Sequence, residues 1–405
     1  MLRYFACLIF LLASLMVGIV TAPPVAAQES AQQPTTSQEQ ASPQEPTTPQ
    51  QPTVEVPVYF TGRAQEIVEQ LRVSEQDNLF TQKVRVQRSD TGELVEVSVG
   101  STFQPLNEQQ LIEEGRRLVL AEQLLSDGET EVVVADIYRL PTIYFLFFVF
   151  LVVVVVVGGW QGLYATFGMI LSVVILMQFV VPQILTGANP IGVSLIGALV
   201  IGAVTIYVAH GLTLKSHLAL MSTVLVLFVV VGISYLAVTA SQLVGLGSEE
   251  AYFLQFGPSA VVNLQGLLLG GIMLGALGVL DDITVSQVSV VFQLRAAKKN
   301  ISSGELYRRS LAVGKDHVAS LVNTLVLAYA GANMPLFLLF IMNENTPDWV
   351  TLNSEVIVEE VVRTLAGSIG LVLAVPVATF IASWVALRKS ATEIEKHAQS
   401  HGHFH

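Results

Sequence analysis

The fold class is decided by residues 261–286, which read VVNLQGLLLGGIMLGALGVLDDITVS. The run is predominantly apolar and exceeds the ~20 residues that a helix needs to cross the hydrocarbon core of a bilayer. It includes two adjacent carboxylates, Asp281 and Asp282. A charge at the centre of a bilayer costs at least ~2.5–3.5 kcal/mol, so an acidic residue inside such a helix is a candidate functional site.

Similar apolar runs recur through the second half of the chain. The 405 residues are 52% hydrophobic and only 13% charged, against roughly 25% charged in an average soluble domain. We therefore predict an all-α polytopic membrane domain of seven transmembrane helices, preceded by a small exported antiparallel β domain. The predicted spans are residues 143–157, 162–184, 191–209, 218–240, 259–280, 318–342 and 365–387.

The N-terminus has the pattern of a secretory signal peptide over residues 1–27, with Arg3 before an apolar core and small residues at the end. An uncleaved membrane anchor is the alternative interpretation. Residues 28–53 are rich in Gln, Pro and Thr and predict a disordered linker. The only cysteine, Cys7, falls inside the signal, so the mature chain is expected to have no intrachain disulfide.

An exported β domain is predicted over residues 54–140. Residues 83–88 and 94–99 alternate apolar and polar side chains on either side of the turn signal SDTG at 89–92, which predicts a β-hairpin. Residues 117–121 and 131–135 are two further strand candidates. These four segments favour a small antiparallel barrel or sandwich. The transmembrane domain is predicted over residues 141–389, and a cytoplasmic tail over 390–405.

The distribution of charge predicts an N-out, C-in orientation. With the β domain outside, the loop between the fifth and sixth spans is cytoplasmic, and it is rich in Lys and Arg; the predicted outer loops are rich in acids. Basic residues on the inside agree with the positive-inside rule. The basic residues of the inner loop are Arg295, Lys298, Lys299, Arg308, Arg309 and Lys315.

Small and polar residues share one face of the fifth span, at about 100° per residue. Gly271 and Gly275 are spaced for close helix packing, while Asp281 points away from this face. Two interpretations remain open: a packing seam whose polar end emerges into the cytoplasm, or a proton or cation site formed by Asp281 and Asp282. The face consists of the helix-packing candidates Gly271, Gly275 and Gly278 and the polar residues Asp282, Ser286, Ser289 and Gln293.

The sixth span supplies the other candidate binding residues. Asn323 and Thr324 are expected at the depth of the aspartates, where they would complete a carboxylate site or hydrogen-bond within the bundle. Asn333 and Pro335 are expected to interrupt this helix. Near the seventh span, the spacing of Glu359 and Arg363 predicts a local i,i+4 salt bridge.

Neither catalysis nor a bound cofactor is predicted. The chain lacks the phosphate-binding loop of an ATPase, and adjacent aspartates cannot face each other across a substrate as an intramembrane aspartyl protease requires. The net charge of −12 argues against nucleic acid as a partner. The tail histidines are weak metal candidates, with a flexible polar tail as the alternative. They are His397, His401, His403 and His405.

Three motifs on the fifth, sixth and seventh spans resemble the YibE/F-like membrane protein family. They are LGALGVLDDITVS at 274–286, NTLVLAYAG at 323–331 and RTLAGSIG at 363–370 followed by Pro376. The resemblance covers about residues 54–387 and implies a multi-pass protein of the bacterial inner, or cytoplasmic, membrane with an extracytoplasmic N-terminal domain. It implies no established activity. The acidic position of the family motif aligns with Asp281, which makes Asp282 an additional carboxylate.

Two functions follow as hypotheses. In the first, the protein is a secondary transporter or permease component with a proton- or cation-responsive carboxylate site on the fifth span. In the second, it is a non-transporting scaffold or envelope-assembly factor that acts through its exported β domain. The expected partners are the lipid bilayer, a proton, cation or small-molecule substrate, and, for the scaffold, an extracytoplasmic protein.

Overall fold

The computed structural model describes residues 57–74, 78–101, 103–124, 130–256, 262–342 and 346–389. The predicted signal peptide, the linker and the tail with His397, His401, His403 and His405 lie outside the described residues. The chain divides into two compact units, with the boundary between Phe150 and Leu151.

The N-terminal unit contains an antiparallel sheet, as the sequence predicted. Its strand order is β3-β2-β1-β5-β6, and the short β4 pairs with the start of β2. The sheet curves into a half-barrel. The strands are β1 (Val58–Ser74), β2 (Leu79–Arg88), β3 (Leu94–Val99), β4 (Leu106–Asn107), β5 (Arg117–Leu124) and β6 (Thr130–Ile137).

The predicted β-hairpin is confirmed by β2 and β3. Val84 pairs with Val97, and alternate residues of β2 are buried as a half-buried strand requires. The side chains of Val84, Val86 and Val97 are fully buried against Leu118 and Leu120 of β5. Alternating apolar residues on neighbouring strands thus form the core of this unit.

The longest strand, β1, has no counterpart among the predicted strands. It pairs with β2 on one side and with β5 on the other. Its pairing with β2 shifts register between Ala64 and Glu66, between Ile67 and Glu69, and again near its end. Each shift bends a strand and increases its twist, which explains both the curvature of the sheet and the loss of a simple alternating pattern.

The C-terminal unit is helical. The first helix, α1, begins in the N-terminal unit and ends in this one; a five-residue π-helical turn, Leu176–Val180, follows it. The helices are α1 (Leu140–Ile175), α2 (Val181–Leu185), α3 (Pro190–His210), α4 (Leu214–Ala240), α5 (Glu249–Phe256), α6 (Leu264–Ala297), α7 (Ser303–Ala332), α8 (Met334–Met342), α9 (Asp348–Leu352) and α10 (Glu355–Arg388).

Helix α1 is broken at Gly159, the boundary expected between the first two predicted spans. Gly159 has φ 57° and ψ −143°, a backbone conformation that is essentially restricted to glycine. A Cβ on Gly162 would lie 2.5 Å from the carbonyl oxygen of Val154, although residues eight apart in a straight helix are separated by about 12 Å. The chain therefore turns sharply at this glycine.

Five helical segments among the described residues are long and apolar enough to cross a membrane. A sixth is obtained if α7 and α8, which bend by 71° at Asn333, form one broken span. This break confirms the interruption predicted there. The first segment, Leu140–Leu185, contains 46 residues and covers two predicted spans. The helices are compatible with a multi-pass membrane protein, while the count of seven and the orientation stay predictions.

Helix α6 lies at the centre of the helical unit, packed against α3, α4 and α10. Two glycines allow close approach of the backbones. A Cβ on Gly270 would lie 2.3 Å from Oγ of Ser194 on α3, and a Cβ on Gly370 of α10 would lie 2.3 Å from Cγ2 of Val230 on α4. This packing buries residues such as Ile272, Met273 and Leu280 in the middle of α6.

Candidate functional site

Asp281 is buried between α3, α4 and α6. Its side chain lies next to Leu280 and Ile283, which are 0% and 1% exposed, and Asp281 itself is 9% exposed. The hydroxyl of Thr205 on α3 donates a hydrogen bond to Oδ2 of Asp281, with an oxygen–oxygen distance of 2.8 Å. The carboxylate is therefore anchored to a helix that is 76 residues away in the chain.

The second oxygen of this carboxylate, Oδ1, is buried and has no hydrogen-bond partner within the described part of the chain. A Cβ on Gly202 would lie 3.6 Å from Oδ1 and 3.7 Å from Oδ2. An unpaired buried polar oxygen is costly, so the site has capacity for a proton or a cation.

Two further threonines surround the backbone of Asp281. The hydroxyls of Thr223 on α4 and Thr284 on α6 are 2.8 Å apart, and the Thr284 hydroxyl donates to the carbonyl oxygen of Asp281 at 3.1 Å. Thr223 is 1% exposed and Thr284 is fully buried. A carboxylate and three hydroxyl oxygens thus lie close together in an otherwise apolar core.

Sequence reasoning missed all three threonines. Thr205 and Thr223 belong to helices distant in sequence, and a threonine inside an apolar helix commonly hydrogen-bonds its own backbone. The Thr205 hydroxyl lies 2.9 Å from the carbonyl oxygen of Ile201, which therefore competes with Asp281 for its single proton. The only local signal was the spacing of Asp281 and Thr284, which places them on neighbouring positions of one helix face.

In contrast to the buried Asp281, both Asp282 and Ser286 are exposed on α6. They share this open face with Gly271, Gly275 and Gly278, as the periodicity predicted. A Cβ on Gly271 would lie 3.7 Å from the end of the Arg363 side chain, one on Gly275 would lie 3.7 Å from the Tyr329 hydroxyl, and one on Gly278 would meet open space. The packing role of these glycines stays a prediction.

The polar residues of α7 are not hydrogen-bonded to Asp281. Thr324 donates to the carbonyl of Ser320 in its own helix at 3.1 Å, and both Asn323 and Thr324 are exposed. Asn333 is half-buried and its amide donates to the carbonyl of Tyr329 at 3.0 Å. A role for these three residues in binding stays a prediction, and the structure joins Asp281 to α3 instead.

A second buried polar cluster lies farther along α6. The side-chain amide of Gln287 donates to the carbonyl of Ser310 on α7 at 2.9 Å and to the hydroxyl of Thr379 on α10 at 2.6 Å. Gln287 is six residues beyond Asp281, or about 9 Å along the helix axis. The Gln287 nitrogen thus makes two hydrogen bonds, and this cluster connects α6 to α7 and α10.

The predicted salt bridge between Glu359 and Arg363 at the start of α10 is wrong. Arg363 pairs with Glu360, with an Nε–Oε2 distance of 3.4 Å, while Glu359 accepts a hydrogen bond from the backbone nitrogen of Gly247 at 3.1 Å. Oε1 of Glu355 accepts from three successive backbone nitrogens, those of residues 244–246, at 2.8, 2.9 and 3.2 Å. These carboxylates fix the loop after α4 to α10.

The described residues contain no group of three or more His, Cys, Asp or Glu side chains that could hold a metal ion. The tail histidines lie outside them, so their metal binding stays a prediction. The oxygen-rich environment of Asp281 suits a proton or a hard monovalent cation, because hard cations prefer oxygen ligands.

Comparison with known proteins identifies one protein family that matches this chain. A family model described as YibE/F-like protein matches residues 146–388, more than half of the chain. The match includes α6 with its two aspartates and ends at the last residue of α10. The search of curated proteins and the search of solved structures gave no match.

Proposed function

The chain belongs to the YibE/F-like protein family, and from this premise we propose that it is a secondary transporter or permease component in which Asp281 binds a proton or a cation. The observation that carries the proposal is the buried carboxylate whose Oδ1 has no hydrogen-bond partner among the described residues. The proposal includes no enzymatic step.

The energetics of burial support this role. Removing an ionised carboxylate from water costs several kcal/mol unless an opposite charge compensates it. Thr205 supplies one hydrogen bond, which offsets only part of this cost. Binding a proton would neutralise the charge, and binding a cation would compensate it. Either event changes the free energy of the contacts among α3, α4 and α6, which meet at this site.

The surrounding packing supports a coupling between binding and helix movement. Thr205 hydrogen-bonds Asp281 to α3, and α4 approaches through Thr223, whose hydroxyl contacts Thr284. When Asp281 gains or loses a proton or a cation, the strength of its hydrogen bond with Thr205 would change. Ligand-dependent contacts of this kind shift the populations of two conformations, as alternating access requires.

The proposed topology is that of a bacterial inner-membrane protein with seven spans, the β domain outside and the C-terminus inside. The bend between α7 and α8 and the break at Gly159 support it. A segment of 46 residues would extend for about 69 Å as one straight helix, more than twice the ~30 Å hydrocarbon core. Two spans joined at Gly159 fit that thickness.

The test is proton movement in proteoliposomes. The purified protein is reconstituted with a trapped pH-sensitive dye, and gradients of Na⁺ or K⁺ are imposed. We expect Asp281→Asn to lower cation-driven proton flux at least about tenfold, because the neutral amide cannot exchange a proton. Thr205→Val, which removes only the hydrogen bond, is expected to give an intermediate rate and covers the case that Asp281→Asn does not fold.

Asp282→Asn is the matched control, since it removes the same charge from the adjacent, exposed position. It is expected to retain most of the flux. Flux at the wild-type rate in Asp281→Asn would overturn the role of this carboxylate. Equal losses in both variants would also count against it, because a general effect of charge would then explain the result.

The second candidate is a scaffold or envelope-assembly factor. It is favoured by the separate core of the β domain, in which Val84, Val86, Leu118 and Leu120 are fully buried. Deletion of residues 54–138 discriminates the two functions in the same assay. A permease is expected to retain some flux without this domain, whereas a scaffold gives no cation-driven flux even as the full chain.

A further inference from the structure

The β domain carries a cleft that no part of the proposed transport mechanism uses. The cleft has a volume of about 500 Å³, and its lining contains arginines but no acidic residue. A basic cleft of this size fits a small anionic group. The lining residues are Thr61, Arg63, Gln65, Gln87, Arg88, Ser89, Arg117 and Tyr138.

Two of these arginines are arranged unfavourably in the absence of a ligand. Arg63 on β1 and Arg117 on β5 are directly opposite each other across the antiparallel pair. Like charges in directly opposite positions destabilise a sheet. Both residues are exposed, and within the described sheet neither guanidinium has an acidic or hydrogen-bonding partner.

Other arginines of the same sheet are compensated. Arg85 pairs with Glu96 at 2.9 Å and also with Glu66, and Arg116 pairs with Glu113 at 3.1 Å. Arg88 likewise pairs with two acidic side chains. Acidic side chains thus compensate these three arginines, and Arg72 contacts Asn78 and Phe80, whereas Arg63 and Arg117 lie opposite each other without such partners. This contrast indicates that an external anion neutralises the pair.

The neighbouring groups can add neutral donors. The side chains of Gln65 and Gln87 are joined by a hydrogen bond of 2.9 Å at the edge of the cleft, and hydroxyls of Thr61 and Ser89 also line it. Guanidinium groups bind phosphate oxygens in a bidentate manner. Two guanidiniums with amides and hydroxyls around them therefore suit a phosphate group better than an apolar ligand.

The position of Tyr138 favours a lipid headgroup over free phosphate as the ligand. Tyr138 lines the cleft and is only two residues from Leu140, where α1 begins. The first turns of α1 in this unit expose large apolar side chains, including Ile143 at 55% and Phe145 at 67%. Tyrosine is enriched at membrane–water interfaces, where lipid headgroups lie. If α1 enters the membrane as proposed, a cleft next to its first residue would lie at the level of the headgroups.

We propose that the cleft between Arg63 and Arg117 binds the phosphate of an anionic lipid headgroup. The inference rests on the proposed insertion of α1 in the membrane and is independent of transport through Asp281. Headgroup binding would neutralise the arginine pair and fix the β domain to the membrane surface next to its own first helix.

The test compares lipid binding by the full-length protein in detergent. Native mass spectrometry measures retained phosphatidylglycerol, with phosphatidylcholine as the zwitterionic reference and inorganic phosphate as the soluble source. Each arginine near an anionic surface contributes about 1 kcal/mol, so Arg63→Gln/Arg117→Gln is expected to bind phosphatidylglycerol on the order of 30-fold more weakly. Because the substitution removes like-charge repulsion, the double variant is expected to fold.

The matched control is Arg85→Gln/Arg116→Gln, which removes two charges from the same domain at positions that have acidic partners. It is expected to bind phosphatidylglycerol as the wild type does. Equal binding by the two double variants would overturn the site. Binding of inorganic phosphate that depends on the two arginines and that phosphatidylglycerol does not displace would overturn the headgroup assignment.

Asp281→Asn separates this inference from the proposed function. That variant is expected to bind phosphatidylglycerol normally while losing flux. A protein that transports normally but shows no preference for anionic lipid would therefore contradict only the headgroup site.

Discussion

At the scale of single residues, Asp281 and Asp282 differ sharply in their surroundings. The two carboxylates are adjacent in sequence, yet one is 9% exposed and hydrogen-bonded to another helix, while the other is exposed. The separation of about 100° between successive residues of a helix produces this difference. Periodicity predicted that they point apart, but it could not tell which direction faces the protein.

The face of α6 that contains the glycines shows why periodicity could not identify the buried side. Gly271, Gly275 and Gly278 resembled a packing seam, but the structure leaves all three exposed and buries larger side chains such as Ile272 and Met273. Small residues allow close contact without requiring it. Only the partner helices decide which face is covered, and those partners are not readable from one helix.

Glu355 provides a prediction at this scale. Replacing it by Gln should lower the free energy of unfolding by about 1–3 kcal/mol, because its Oε1 accepts three backbone hydrogen bonds and charge-assisted bonds are stronger than neutral ones. Thermal unfolding in detergent measures the effect. Glu360→Gln is the control, since Glu360 forms only a partly exposed pair at 3.4 Å, and such pairs contribute at most about 1 kcal/mol. Equal midpoints for both variants would contradict the prediction.

At the scale of elements, the two strands of the hairpin were easier to predict than β1, which carries the extra residue at each register shift. β2 and β3 pair in one continuous register, so alternation of apolar residues was visible in the sequence. β1 changes register with β2 three times, and each change reverses the face to which the following residues point. Its 17 residues therefore lack the period of two that a strand usually shows.

Helix packing yields a second prediction. Gly370→Ala should destabilise the helical unit by about 1–3 kcal/mol, because the new Cβ would lie 2.3 Å from Cγ2 of Val230 and force α10 and α4 apart. Gly367→Ala on the same helix meets no atom within 4 Å. It is expected to be neutral or stabilising, since alanine favours the helix by about 1 kcal/mol over glycine. Thermal unfolding of both variants is the measurement, and a Gly367 variant that is the less stable one would refute this account.

At the scale of the whole molecule, the two units are stabilised by different interactions. Buried apolar contacts dominate in the helices, whereas the β domain also has many exposed ion pairs. The hydrogen bond from Arg88 lowers the pKa of Asp90 from the usual 3.8 to about 2. Arg85 and Arg139 likewise lower the pKa values of Glu96 and Asp136.

These shifts predict sensitivity of the β domain to acid. A carboxyl whose pKa is lower in the folded state stabilises the fold above its unfolded pKa and loses that contribution as the pH falls towards the folded value. For Asp90 the window runs from the usual 3.8 down to about 2. Cleavage of residues 57–137 by pepsin, measured on the full chain across this range, should increase on acidification.

Asp90→Asn is the variant that isolates this contribution. It should be cleaved faster than the wild type near the upper end of the window, where only the wild type has the charged pair with Arg88. The two rates should converge towards pH 2, because Asp90 is then increasingly protonated in the wild type. A ratio of rates that stays constant over the window would show that Asp90 does not contribute.

The break at Gly159 has a consequence for how the chain is inserted. Each crossing of a bilayer reverses the side on which the following segment emerges, so the number of crossings before α3 sets the sidedness of every later helix. If Leu140–Leu185 crossed once instead of twice, Asp281 and the basic loop after α6 would exchange compartments. Under the proposed topology, the turn at one glycine would therefore set the direction in which a gradient acts on a carboxylate more than 120 residues away.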